Sequence, residues 1–202
     1  MIFYNRKLPV EYIKPYGSSP TSLANHLIDS VYKINAMNTS SLAANFLKEI
    51  EAESIASRKC IERIPEAKFD FKPHPTSLSM GYLALLVAEI PRWITIMIED
   101  NEIDFATFKH AEIKSTKELV AHFDENMKSV REALQNVSDK DLDKMFHLKT
   151  NGQIIFSQKN SEYIGPTINH WVHHRGQLTV YMRISEIPVP SIYGPSADDK
   201  QF

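Results

Sequence analysis

The strongest candidate for chemistry in this sequence is a histidine pair near its C-terminal end. His170 and His174 are four residues apart in the segment NHWVHHRGQ. On a helix this spacing places both imidazoles on one face, where they can share a metal cation. The same spacing is typical of a half-buried, hydrogen-bonded pair, so a structural interpretation stays open beside the metal one. Gly176, which is unfavourable inside a helix, predicts a close approach by a neighbouring helix or a ligand.

A second polar group interrupts the apolar face of the first predicted helix. Glu53, Ser54 and Ser57 stand where a bundle needs apolar side chains. If the histidine pair faces them, the resulting buried network must be fully satisfied. Either a bound metal or an ion pair between Glu53 and Arg175 would satisfy it.

The remaining candidate residues give weaker signals. Cys60 is interpreted as a small core residue rather than a nucleophile. His122 is predicted to lie on the solvent side of the third helix. No Ser-His-Asp arrangement can be argued, because nothing fixes a nucleophile beside a base. The other scattered histidines are His26, His110 and His147.

The hydrophobic pattern predicts an all-α protein, a four-helix bundle over residues 41–202 with a short helical extension over residues 1–40. Thr76 or Ser77 is expected to cap the second helix, and Pro91 to free a backbone carbonyl about four residues earlier. Asn151 and Gly152 predict a type I′ turn, so a small hairpin or irregular loop should precede the last helix. The helices are predicted over residues 42–64, 77–98, 116–137 and 166–185.

Composition excludes several functional classes. The 202 residues carry 23 Lys and Arg against 25 Asp and Glu, a net charge of −2 that argues against nucleic-acid or polybasic membrane binding. One cysteine excludes an internal disulfide and a cysteine-based zinc site. The apolar run of residues 80–98 contains Glu89, Pro91 and Arg92, so it is interpreted as a buried helix and the protein as cytoplasmic.

Two segments resemble the DinB-like (damage-inducible, YfiT-type) family. They are HWVHHRGQLTVYMRISEIPVPSIYGPSADD near the C-terminus and EAESIASRKCIERIPEAKFDFKPHPTSLSMGYLALLVAEIPRW upstream, and the resemblance covers roughly residues 45–198. It implies an up-down-down-up four-helix bundle, often a homodimer. It also implies a divalent metal, commonly nickel or zinc, held by three histidines. Some relatives are thiol S-transferases or isomerases.

Only two of the three implied ligands are present. His170 and His174 match the family positions, but Leu86 stands where the family pattern Leu-Ala-x-His-Val-Ala-Glu has its metal-binding histidine. Three outcomes are therefore open: the metal is lost, two histidines hold it weakly, or a substitute ligand completes the site. A carboxylate substitute would favour iron, manganese or zinc. The candidate substitutes are Glu53, Glu89 and His74.

Three functional hypotheses follow from these residues. The first is a metal-dependent enzyme related to the thiol transferases or to hydrolases, in which Glu53 or Glu89 acts as third ligand or base. The second is a metal-free protein that binds a small molecule or serves in a stress response, with Leu86 making the pocket more apolar. The third is a dimerisation scaffold.

Overall fold

The computed structural model describes residues 41–200. The predicted extension over residues 1–40 lies outside the described residues. Apart from one 3₁₀ turn (Glu66–Lys68), the elements in chain order are α1 (Ser41–Ile61), α2 (Met80–Glu99), β1 (Glu102–Asp104), α3 (Thr116–Asn136), α4 (Asp139–Leu142), β2 (Met145–Thr150), β3 (Gln153–Lys159) and α5 (Asn160–Ile184).

Four long helices form the core. α2 packs mainly against α3 and α5, and α1 packs against the same two helices, so α1 and α2 lie diagonally across the bundle. α2 is apolar around most of its circumference because it is the central helix. By length and composition it is the only helix in the described part of the chain that could span a membrane, but 72% of its most apolar window is buried within the protein.

A three-stranded sheet makes the all-α prediction only partly correct. β1 pairs in parallel with β2, and β2 pairs antiparallel with β3. The predicted hairpin is present, with positive φ angles of 51° at Asn151 and 77° at Gly152, as a type I′ turn requires. Asp104 accepts hydrogen bonds from both turn amides, at 3.1 and 2.7 Å, and so ties the short β1 strand to the hairpin. A three-residue strand held this way leaves no alternating pattern in the sequence.

Several predicted boundaries are displaced. Ser79 caps α2 through its hydroxyl, two residues beyond the predicted position. The last helix begins at Asn160 and not near Pro166, because β3 runs directly into it. Pro166 lies inside the helix, where it has no amide hydrogen to donate to the carbonyl of Glu162. Gly176 meets no protein atom within 4 Å, so the close approach of a neighbouring helix predicted there is wrong, and the approach of a ligand stays a prediction. The close approach is at Gly81, where an added Cβ would lie 2.9 Å from Phe69.

Pro91 has the predicted effect on the core of the bundle. Without an amide hydrogen it leaves the carbonyl of Val87 free inside α2. The indole N–H of Trp171 on α5 donates to that carbonyl at 2.7 Å. Trp171 is fully buried, so this bond satisfies the polar groups of two helices at once.

Candidate functional site

An apolar cavity of about 370 Å³ lies between α2, α5, the sheet and the loop that follows β1. This volume is at the lower end of the range found for small-molecule sites. Leu86 and His170 both line it, so the position of the missing family ligand and one retained histidine share one wall. The full lining comprises Tyr82, Leu86, Trp93, Met97, Ile103, Phe105, Phe108, His110, Phe146, Leu148, Tyr163, Pro166, Thr167 and His170.

The sheet contributes directly to this cavity. Ile103 of β1 and Phe146 of β2 are buried in the core and form part of its wall, together with Leu148. The ring of Phe146 stacks on that of Tyr163 at a centroid distance of 5.6 Å. The sheet missed by the all-α prediction therefore closes one side of the candidate site.

The histidine pair has the predicted placement on one helical face. The ring centroids of His170 and His174 are 4.5 Å apart, and His170 also lies 5.7 Å from the ring of Trp93. Desolvation, followed by the neighbouring imidazoles, lowers the pKa of His170. Desolvation likewise lowers the pKa of His174, so both rings are held in the neutral form that can ligate a metal.

The proposed substitute ligands are all engaged elsewhere. Glu53 pairs with Arg175, Glu89 accepts hydrogen bonds from the loop after β1, and His74 lies within 2.8 Å of the hydroxyl of Thr76. Within residues 41–200 no group of three His, Cys, Asp or Glu side chains is suited to hold a metal ion. Leu86 offers no donor atom. The donor set around His170 and His174 therefore does not fit the closed three-ligand site that the family resemblance implies.

Glu53 and Arg175 form the ion pair that was predicted as the metal-free alternative. The guanidinium Nη2 of Arg175 lies 2.6 Å from the carboxylate of Glu53, and Nη1 donates to the Glu53 carbonyl at 3.0 Å. Arg175 also donates to the hydroxyl of Tyr193 at 2.7 Å, and that hydroxyl donates to Glu53 at 2.9 Å. The polar centre of α1 is thus a closed network that also fixes the C-terminal tail.

Glu89 is the centre of a second buried network. It is fully buried on α2, and its carboxylate lies 2.5 Å from Nδ1 of His110 and accepts the amide of Ala111 at 2.7 Å. Nε2 of His122 lies 3.4 Å away. Burial by itself raises the pKa of Glu89, but the close contact with His122 and the hydrogen bonds from Ala111 and His110 outweigh it and hold the pKa below its ordinary value.

This second network corrects and extends the sequence-based assignment. His122 was predicted to face solvent, but its side chain is 17% exposed because α3 turns it towards Glu89. His110 and Tyr82, which line the cavity, were not singled out as site residues. The available signal was Glu89 itself, since a carboxylate inside an apolar helix needs partners. Nothing in the spacing indicated that a loop histidine 21 residues later would supply one.

The fold and cavity together define a class, that of mostly helical bundle proteins with a small sheet and a pocket beside a histidine pair on the last helix. The chain belongs to the DinB family, whose family model matches residues 37–201. No curated protein matches the chain.

Solved structures of similar fold carry the same family description. A DinB-like protein from Bacillus subtilis superposes with a TM-score of 0.56 at 17% identity, over 71% of this chain and 95% of its own. A DinB-like protein from Bacillus cereus gives a TM-score of 0.57 at 23% identity, over 73% of this chain and 95% of its own. These similarities establish the fold.

Proposed function

We propose that this protein binds an apolar, ring-containing small molecule without a metal. The observation that carries the proposal is the 370 Å³ cavity, in which Leu86 occupies the position of the third family ligand beside His170. A leucine at this position offers no metal-ligating atom and makes the cavity wall more apolar. The aromatic rings of Trp93, Phe108 and Phe146 favour a flat ring as the occupant.

One feature of the cavity supports a ligand with one polar group. Tyr82 and His110 give an otherwise apolar wall a localised polar end. The indole N–H of Trp93 is buried and has no hydrogen-bond partner among residues 41–200. That nitrogen has no surface open to the cavity, so the polar group of a bound molecule would face Tyr82 and His110 instead.

Cavity filling tests the binding proposal. Leu148→Trp places a large ring at the cavity wall, whereas Leu78→Trp adds the same ring at an exposed loop position outside it. With 1-phenylpropan-2-one as probe, we expect binding by wild type and by Leu78→Trp, followed by NMR chemical shifts, and loss of binding in Leu148→Trp. Equal shifts in all three proteins would contradict the proposal.

Restoring the missing ligand tests the metal-free part. In Leu86→His, nickel or zinc at 100 times the dissociation constant should add about 2.7 kcal/mol and raise Tm by about 5–10 °C. The Tm of the wild-type protein, which offers the metal only two histidines and water, should rise much less. Stoichiometric, tight metal binding by wild type that is lost in His170→Ala would instead support the metal-dependent enzyme.

We also propose a cytoplasmic setting. The buried, unpaired Cys60 and the burial of α2 fit a reducing cytoplasm. The homodimer implied by the family resemblance stays a prediction, as does the absence of nucleic-acid and membrane partners.

A further inference from the structure

Glu89, His110 and Tyr82 form a hydrogen-bonded chain that runs from the core to the cavity wall. The carboxylate of Glu89 lies 2.5 Å from Nδ1 of His110, and Nε2 of the same ring lies 3.3 Å from the hydroxyl of Tyr82. Glu89 is completely buried and does not line the cavity, whereas His110 and Tyr82 both do. Only the outer two members can therefore meet a bound molecule.

The buried carboxylate fixes which nitrogen of His110 carries the proton. An ionised carboxylate can only accept hydrogen bonds, so Nδ1 must carry the hydrogen that Glu89 accepts. In the neutral ring this leaves the lone pair on Nε2, where it accepts the hydrogen bond of the Tyr82 hydroxyl. A carbonyl oxygen that takes over this hydroxyl as its donor would free the lone pair to act as a base. A carboxylate that orients an imidazole also stabilises its protonated form, which is the requirement for a general base.

The ring of His110 is held in place from several sides. It packs edge-on against Phe108 at a centroid distance of 5.2 Å and against Tyr82 at 5.5 Å. The adjacent amide of Ala111 donates to the second oxygen of Glu89 at 2.7 Å, which anchors the loop that carries the ring. The imidazole is therefore preorganised, while its side chain remains 34% exposed and accessible.

We propose that His110 is the general base of a metal-independent keto–enol proton transfer on an apolar carbonyl compound bound in the cavity. Glu89 is its positioning residue, and the hydroxyl of Tyr82 is the donor to the carbonyl oxygen. The inference rests on the proposed binding function and adds chemistry to it.

The step balances without any further reactant. The α-carbon C–H bond breaks, its proton moves to Nε2 of His110, and its electron pair forms the carbon–carbon double bond of the enolate. The carbonyl π pair moves to oxygen, which accepts a hydrogen bond from Tyr82. The imidazolium then returns a proton to carbon. A base and a donor 3.3 Å apart suit this reaction, because the carbonyl oxygen and the α-hydrogen of a ketone are neighbours.

Deuterium exchange measures this step directly. Wild-type protein is incubated with 1-phenylpropan-2-one in D₂O, and the loss of the α-proton signal is followed by NMR against buffer alone. We expect catalysed exchange, and a decrease of about 100-fold in His110→Gln. Tyr82→Phe should retain ketone binding and lose a smaller part of the rate. Glu89→Gln should lower kcat with KM little changed, and Glu89→Asp, which keeps the charge, should recover part of kcat.

Two controls separate catalysis from a structural role. His147 on β2 lies outside the cavity lining, and its Nδ1 lies 2.6 Å from the hydroxyl of Ser157 instead of a carboxylate, so His147→Gln should exchange like wild type. In His110→Gly, added free imidazole should restore exchange in a concentration-dependent way. A merely structural histidine would show no such rescue.

The outcomes distinguish this inference from the proposed function. If the ketone binds to wild type but exchanges no faster than with His110→Gln, the general base is disproved and the binding function stands. If the ketone does not bind, and Leu148→Trp behaves as wild type does, both fail. Binding, His110-dependent exchange and imidazole rescue together would establish the base.

Discussion

Two glutamates of the bundle, the half-buried Glu53 on α1 and the fully buried Glu89 on α2, have different partners, and this difference separates a structural network from a chemical one. Glu53 faces the guanidinium of Arg175 at 2.6 Å, in a network closed by Tyr193. Glu89 faces His110 at 2.5 Å, and that imidazole reaches a cavity. An arginine stays charged at every relevant pH, whereas a histidine exchanges its proton near neutrality.

This difference assigns different roles to the two networks. The Arg175 side chain is 2% exposed and its guanidinium donates to Glu53, Ser57 and Tyr193, so few of its N–H groups remain for a ligand. The Glu89 network ends instead on a nitrogen at an accessible wall. A buried carboxylate thus indicates a candidate site when its partner can titrate and can be reached, and a structural centre when it cannot.

The largest expected effect is on the Glu53 network. Glu53→Gln leaves the buried guanidinium without its counter-charge, so we expect a loss of about 3 kcal/mol in the free energy of unfolding. Denaturation by guanidinium chloride measures this loss. The control is Glu49→Gln at an exposed position of α1, whose free energy of unfolding should lie within about 0.5 kcal/mol of wild type. A loss in Glu53→Gln as small as in the control would remove the structural role assigned to the ion pair.

Removing the charge of Glu89 should have a smaller effect that depends on pH. At pH 7 Glu89→Gln should lose about 1–3 kcal/mol, because the amide is a weaker partner for His110 and Ala111. Folding lowers the pKa of Glu89 below its ordinary value of 4.5. The contribution is therefore fully present above that value and is lost as the pH falls through the lower, folded pKa.

Denaturation of wild type and Glu89→Gln between pH 7 and pH 3 measures this contribution. The difference in stability between the two proteins should shrink on the acid side. A difference that stays constant over that range would show that folding does not lower the pKa of Glu89.

The last prediction concerns the solvent accessibility of side chains in the two networks, which chemical labelling measures. Cys60 is fully buried, and burial raises its pKa to about 11 despite the nearby Arg175. We expect its thiol to react with a disulfide reagent only on unfolding. His110 should be acylated by diethyl pyrocarbonate in the folded protein. Fast labelling of Cys60 in native conditions would contradict the closed character of the Glu53 region.

The sequence determined much of the bundle, because hydrophobic periodicity is a local signal. α3 was predicted within one residue of its observed end, and the turn at Asn151–Gly152 was specified by its two residues. The carbonyl of Val87 freed by Pro91 also followed from proline chemistry alone. The predicted start of α5 was wrong because β3 runs directly into this helix, and no turn residues mark its start at Asn160.

The sequence by itself determined the fold family, the histidine pair and the anomaly at Leu86. Tertiary structure alone decided that Glu53 pairs with Arg175, that Glu89 orients His110, and that the sheet closes a cavity around Leu86 and His170. The physical reason is one of range. Helical spacing relates residues three or four apart, whereas these contacts join residues brought together only when the helices pack and the loop after β1 settles on α2.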